Sequence, residues 1–411
     1  MSVNILTFGC RLNAFESEVM RGHAEAAGLS DTIIVNTCAV TAEAERQARQ
    51  AVRRAHRDNP DARIVVTGCA AQIDPLAWSG IDGVSRVIGN VEKLTPAAWA
   101  VDDAVLVADI MQVRQTAAHL IDGFGTRARA FIEVQQGCDH RCTFCIIPYG
   151  RGPSRSIPMG AIAQQVRTLV ANGYREVVLT GVDLTSYGAD LPGAPKLGQL
   201  VRRLLAAVPE LPRLRLSSID PAAIDTDLWH AIAHEPRLMP HLHLSVQAGS
   251  DMILKRMKRR HLRHHVIEVT DRARALRPEI AFGADLIAGF PTEDAAMFND
   301  SLRLIDEAGL DYLHVFPYSA RNGTPAARIQ ALPMAERRAR AATLRAAGLR
   351  RAAARYRSMI GGTVTALAES ATAGHSETFA PVRFMRDFEP GSLVTGRITA
   401  ADATSVTLEI A

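Results

Sequence analysis

The chain has 411 residues, 47% of them apolar and 22% charged, which excludes wholesale disorder and supplies core for two or three domains. Its formal charge of +4 permits a polyanionic partner without demanding one. No apolar run approaches the ~18 residues of a membrane span, and no basic start followed by an apolar run opens the chain, so a cytoplasmic protein without a membrane partner is expected.

In chain order, residues 1–122 alternate short β-branched runs with helical patterns. VNILTFG (3–9), TIIVNT (32–37) and RIVVTG (63–68) read as strands separated by helices, which predicts an α/β domain with a parallel sheet. Residues 123–333 repeat the alternation on a longer scale. AFIEVQQ (130–136), EVVLTG (176–181), RLRLSS (213–218), HLHLSVQ (241–247), IAFGADLIAG (280–289) and YLHVFPY (312–318) give six strand–helix units, and so a full or partial α/β barrel. In HLHLSVQ one face carries His241, His243, Ser245 and Gln247, the other Leu242, Leu244 and Val246. His314, Phe316 and Tyr318 likewise stand opposite Leu313 and Val315. The predicted lumen is therefore polar, which is costly unless it binds something. Residues 334–411 begin with a basic helical pattern (334–359). TVTALAES, ETFAPVRFM, SLVTGRITA and SVTLEI then alternate apolar and polar residues, predicting a small β-barrel.

The six cysteines fall into two groups of three. Cys138, Cys142 and Cys145 form C-x3-C-x2-C directly after a predicted strand. Thiolates are the soft ligands of iron–sulfur clusters, and three ligands leave one iron of a cubane open to a substrate's amine and carboxylate. Zinc, which would want a fourth Cys or His, and buried structural cysteine are the other readings of the segment. Cys10, Cys38 and Cys69 each follow a predicted strand of the first domain. The carboxyl ends of parallel strands share one edge, so these three can converge on a second cluster; the bland reading is three small buried residues.

The C-x3-C-x2-C segment, with Phe144 before its last cysteine, resembles that of the radical S-adenosylmethionine (SAM) enzymes. With TFGCRLNAFESE, VNTCAVT and VTGCAAQ preceding it in order, the whole chain resembles the methylthiotransferase family. The resemblance implies an N-terminal domain with an auxiliary cluster, a partial (β/α)6 radical-SAM barrel and a C-terminal TRAM β-barrel. It implies two [4Fe–4S] clusters: an auxiliary one on Cys10, Cys38 and Cys69, and a SAM-binding one on the catalytic Cys138, Cys142 and Cys145. It further implies a transferase that uses SAM twice, once for a methyl group and once for the radical that abstracts hydrogen from C2 of a modified adenine. An aromatic C–H is beyond side-chain acid–base chemistry, so the cofactor must carry that step.

VLTGVDLTSYG (178–188), RLRLSSIDP (213–221), HLHLSVQAGSDMILKRMKRRH (241–261) and HVFPYSARNGTPAA (314–327) favour the branch acting on N6-threonylcarbamoyladenosine next to the tRNA anticodon. The alternatives are N6-isopentenyladenosine in tRNA and a ribosomal-protein aspartate. Expected partners are the tRNA anticodon loop, a reductant such as flavodoxin and a sulfur donor, with no stable protein partner.

Gln247 and Asp285 are expected to contact SAM or substrate from the barrel interior, with Phe144 beside the cofactor and Gly181 allowing close approach; Ser217, Ser218 and Tyr318 are weaker candidates. The basic stretches KRMKRRHLRHH (255–265) and 334–359 suit RNA phosphates, with Phe379, Phe384 and Phe388 as stacking candidates. His261, His264 and His265 read as a solvated helix face.

Overall fold

In the computed structural model, residues 3–116, 119, 121–125 and 127–410 are described. The first sheet is parallel and ordered as in the chain: β1 (Asn4–Thr7), β2 (Thr32–Thr37), β3 (Arg63–Gly68), β4 (Val84–Ile88) and β5 (Val105–Leu106). β2 and β3 are buried almost throughout, as continuous β-branched runs demand. Helices α1 (Arg11–Ala26), α2 (Ala42–Asp58), α3 (Cys69–Ile73) and α4 (Pro75–Ser79) connect them. Thr41 caps α2, its side chain accepting from the Ala44 N–H at 3.1 Å.

The central strands are β6 (Ala130–Gln136), β7 (Arg155–Ser156), β8 (Glu176–Gly181), β9 (Arg213–Leu216), β10 (Ser218–Ile219), β11 (His241–Gln247), β12 (Ala281–Ala288) and β13 (Tyr312–Pro317). β6, β8 and β9 pair in parallel, and so do β10 to β13. β7 is a short antiparallel addition at the edge of β6. RLRLSS, expected as one strand, divides at Ser217: its N–H closes the β8–β9 ladder on the Leu179 carbonyl at 2.9 Å, and Ser218 pairs instead with His243 of β11. The expected six-unit partial barrel is present with its third strand in two pieces. Leu242, Leu244 and Val246 join the main hydrophobic core, while His241, His243, Ser245 and Gln247 take the other face. Helices α5 (Ile147–Arg151), α6 (Met159–Ala171), α7 (Leu197–Ala207), α8 (Thr226–His234), α9 (Asp251–Arg256), α10 (Arg263–Leu276) and α11 (Ala295–Glu307) complete this part.

α12 (Met334–Ser358) packs on β13 and leads into a closed barrel. Its strands are β14 (Thr363–Ala368), β15 (Ala373–Ser376), β16 (Pro381–Phe384), β17 (Leu393–Ala401) and β18 (Val406–Glu409), in the order β14-β15-β16-β18-β17. This small barrel docks beneath the central one: Arg215 of β9 donates to the carbonyls of Ser376 and Glu377 at 2.7 and 2.8 Å. Among the described residues no helix is long and apolar enough to cross a membrane.

Candidate functional site

All six cysteines are free. Cys10 sits at the N-cap of α1, Cys38 just beyond β2 and Cys69 at the start of α3, so each lies at the carboxyl end of its strand. The sheet brings them together. Gly9, at φ +95°, passes so close to Cys38 that a side chain there would overlap its Cβ and Sγ. Burial, followed by the charge of Cys69, pushes the Cys38 thiol up to about 12.

The second triad occupies the loop between β6 and α5. Gly137, at φ +69°, lets the chain turn against the Pro153 carbonyl, where a Cβ would stand 1.9 Å from its oxygen. The Cys138 N–H donates to the Gly152 carbonyl at 3.0 Å, and the Cys145 N–H to the Cys142 carbonyl at 3.1 Å. Burial and then the Asp183 carboxylate push the Cys138 thiol up to about 12; burial pushes Cys145 up to about 11. The positive charge that favours thiolates comes from Arg259, 3.5 Å from Cys142 Sγ, and from Arg151, whose Nε is 3.0 Å from Cys69 Sγ. Cys69 lies near enough to Cys145 to act on its titration, so the triads are neighbours.

Among the described residues, the one group of three His, Cys, Asp or Glu ligand atoms within 4.8 Å of one another is His243, Asp285 and His314. Two sets of three free thiols offer the soft ligands that an iron–sulfur cubane takes.

Arg151 joins the triads through a fully buried network. Its guanidinium donates to Glu16, at 2.9 Å from Nη2 and more closely from Nη1, and to Asn13 Oδ1 at 2.5 Å. Lys93, one of only four lysines, donates to Glu16 at 2.8 Å. Burial opposes ionisation of Glu16, but Arg151 and Lys93 outweigh it and hold the carboxyl well below its usual range. Glu133 accepts from Gln136 Nε2 at 3.0 Å and is held high by burial and by the Glu16 charge. Removing one partner of such a buried pair strands the other charge. Arg151→Met is therefore expected to lower stability by roughly 3–5 kcal/mol in chemical denaturation. Glu16→Gln, which strands both Arg151 and Lys93, is expected to cost at least as much; a clearly smaller loss would make the Arg151→Met effect one of packing rather than charge.

Of the other expected site residues, Phe144 packs against the cluster of Ala248, Met257, Phe290 and Tyr318 beside the cysteine loop. Gly181 makes room for Gln135, whose Oε1 would stand 2.9 Å from a Cβ there and accepts the Asp183 N–H at 2.8 Å. Asp183 in turn lies 2.9 Å from His140 Nε2. Gln247 ends β11 at φ +74°, a conformation a non-glycine residue adopts only under constraint from its surroundings. Asp285 finds two partners on neighbouring strands, His243 Nε2 at 3.1 Å and His314 Nδ1 at 3.4 Å. Ser217 and Tyr318 are both buried, Tyr318 with its ring edge-on to Phe290.

Several sequence readings are corrected. His261 is not a solvated residue: it is fully buried, with Nε2 2.9 Å from the Val246 carbonyl and Nδ1 3.7 Å from Asp220. The basic stretches are partly structural. Arg259 and Arg260 pair with Asp220, and Arg263 with Glu307. On α12, Arg337 donates to the Tyr318 carbonyl, Arg340 pairs with Glu293, and Arg355 lies near Asp311. Arg338, Arg350 and Arg357 remain exposed. Phe379 stacks on His241 and His375 at 5.0 and 4.6 Å, and Phe384 is buried edge-on to Phe388, so neither Phe379 nor Phe384 is a free stacking platform; Phe388 is half-buried.

Comparison with known proteins places these features in a family. The profile described as Radical SAM superfamily matches residues 132–305, and that described as Uncharacterized protein family UPF0004 matches residues 2–89. The chain is 52% identical over 399 residues to a Rickettsia prowazekii protein named threonylcarbamoyladenosine tRNA methylthiotransferase MtaB, covering 97% of this chain and 95% of that protein. It is 35% identical over 431 residues to a Cereibacter sphaeroides protein named tRNA-2-methylthio-N(6)-dimethylallyladenosine synthase, covering 98% and 97%. Its fold is similar to that of the radical S-adenosylmethionine methyltransferase TsrM from Kitasatospora setae, solved with cobalamin and a [4Fe–4S] cluster bound, with TM-score 0.56 and 14% identity over 80% of this chain and 77% of that one. With half its residues shared with a relative along nearly its whole length, and both profiles matched in order, the chain belongs to the radical SAM methylthiotransferases.

Proposed function

We propose that this chain converts N6-threonylcarbamoyladenosine beside the tRNA anticodon to its 2-methylthio derivative. The observation that carries the reading is the pair of unbridged cysteine triads brought side by side by Arg151, in a chain 52% identical to a relative named for that reaction. In this reading Cys138, Cys142 and Cys145 hold the SAM-binding [4Fe–4S] cluster, and Cys10, Cys38 and Cys69 the auxiliary one. Residues 1–122, 123–333 and 334–411 are the auxiliary-cluster domain, the radical-SAM barrel and a basic helix with a TRAM-like barrel. When bound, the clusters and SAM supply the radical that removes hydrogen from C2 and the methylated sulfur that replaces it.

The chain's own groups do the remaining work. Arg151 and Arg259 place positive charge against one sulfur of each triad. Gln135 fixes the loop that carries Cys138 by donating to the Gln136 and Gly137 carbonyls at 2.9 and 2.8 Å. Phe144 and its apolar neighbours exclude water beside that loop, which protects reactive species from quenching. Gln247 and Asp285 face the lumen where SAM or the base would lie. Exposed arginines such as Arg338, Arg350 and Arg357 would meet RNA phosphates, and a reductant and a sulfur donor complete the reaction.

Isopentenyladenosine and a ribosomal-protein aspartate are not favoured; the relative named for dimethylallyladenosine shares 35% identity against 52%. Reconstituted protein given SAM and dithionite should methylthiolate an anticodon stem-loop bearing threonylcarbamoyladenosine and leave the isopentenyladenosine loop untouched. Product on the second loop alone would overturn the substrate.

A further inference from the structure

The barrel lumen holds a polar cluster that the cysteines do not use. His243 Nε2 lies 3.1 Å from Asp285 Oδ1, His314 Nδ1 lies 3.4 Å from the same oxygen, and the two imidazoles stand 4.9 Å apart. Space for it is built in: a Cβ on Gly283 would stand 2.4 Å from His243 Nδ1. The cluster is open on one side, because the His314 side chain is 62% exposed while those of His243 and Asp285 are 10% and 21% exposed. It lies inside the mouth: His243 is four residues before Gln247 on the same face of β11, and Asp285 pairs in register with His314.

Arg11, the residue after Cys10, approaches the same face of β11 through Phe379, whose ring stacks on His241 at 5.0 Å, two residues before His243. The other arginines of this region share carboxylates: Arg129, Arg213 and Arg215 all reach Glu176, each at 2.8–2.9 Å. Arg11 makes no ion pair among the described residues; its guanidinium lies 5.9 Å from the Phe379 ring centroid. It is half-buried, and Arg129 and Arg215 lie over the same Phe379 ring, each 5.1 Å from its centroid. A desolvated guanidinium crowded by other cations favours an anion, and its presence disfavours a metal cation on the histidine–aspartate group.

We infer that Arg11, His243, Asp285 and His314 form the subsite for the N6 substituent of the substrate, with Arg11 pairing with the threonyl carboxylate. This rests on the substrate proposed above. A threonylcarbamoyl group offers a carboxylate, a hydroxyl and urea N–H groups. A guanidinium fork suits the first, and Asp285 can accept from the others. A dimethylallyl group offers none of these, and its entry would leave Arg11 and Asp285 desolvated without partners, so the same residues select against it. Because Arg11 adjoins Cys10, holding the substituent there would bring the adenine to the auxiliary triad.

The test compares two anticodon loops that differ at one group: threonylcarbamoyladenosine and its primary amide, which keeps every atom position but loses the charge. The wild-type holoenzyme is expected to prefer the acid by roughly 10- to 100-fold in kcat/KM, the worth of one charge-assisted contact. Arg11→Gln should reduce the ratio to within about threefold, chiefly through KM, and Arg11→Lys should keep part of it, as a charge without the fork does. Both loops meet the same enzyme preparation, so any loss of cluster caused by a change beside Cys10 cancels in the ratio. Binding of the two loops followed by fluorescence anisotropy should shift in the same way. If the wild type turns over the acid loop but Arg11→Gln keeps the wild-type ratio, the subsite is wrong and the substrate stands. If the wild type acts on isopentenyladenosine loops alone, both fall.

Discussion

Cys142→Ala is expected to form no 5′-deoxyadenosine and no methylthio product while retaining about half of the wild-type iron. The sulfur it removes is the middle one of a loop whose spacing supplies three ligands in eight residues, and is the one that Arg259 faces at 3.5 Å. Two thiols left in that loop are too few to hold a cubane, so the loss is of the whole cluster rather than of tuning. The fold has no reason to fail: Cys142 is half-exposed, and the loop stays pinned by the Thr143 N–H to the Met257 carbonyl at 3.1 Å and by Thr143 Oγ1 to the Arg256 carbonyl at 2.7 Å. Full wild-type iron in the variant, or continued cleavage of SAM, would contradict the assignment.

Cys38→Ala is expected to separate the two halves of the reaction. Iron should again fall by about half, but SAM should still be cleaved to 5′-deoxyadenosine, and the threonylcarbamoyladenosine should remain without its methylthio group. The Cys38 sulfur accepts the Val40 N–H at 3.5 Å and packs against Gly9. Losing one buried sulfur leaves a void costing on the order of 1 kcal/mol, too little to unfold the domain. Methylthio product from this variant would remove the auxiliary role of the first triad.

Much of the molecule was legible in the sequence where a signal is local. TIIVNT, RIVVTG, AFIEVQQ, EVVLTG and HLHLSVQ are strands to the residue, because buried parallel strands read as β-branched or alternating runs ended by Gly or turn residues. VSRVI (84–88) and AGHS (373–376), each interrupted by polar or small residues, form strands through pairing with neighbours rather than through their own pattern. The cysteines were readable for the same reason: one triad is a spacing, and the other repeats one place in the strand–loop unit.

What binds the triads together was not readable. Glu16, Lys93 and Arg151 meet across separations of 77 and 135 residues, and a rare lysine was the one available signal. Arginines on α12 and in 255–265 read as surface charge because sequence cannot tell a solvated guanidinium from one reaching a buried carboxylate or carbonyl. His261 was misread in the same way: its charged neighbours signalled solvent, whereas the backbone folds it under β11. Arg11 was hidden by its position beside Cys10, and its isolation emerges only when Arg129, Arg213 and Arg215 are seen to converge on Glu176.

The most direct measurement is mass spectrometry of tRNA nucleosides from cells lacking this gene and from the same cells with it restored. The account predicts that the methylthio form of threonylcarbamoyladenosine disappears and returns, with its unmodified precursor accumulating in between. Unchanged levels of that nucleoside, or loss of the methylthio form of isopentenyladenosine in its place, would contradict it.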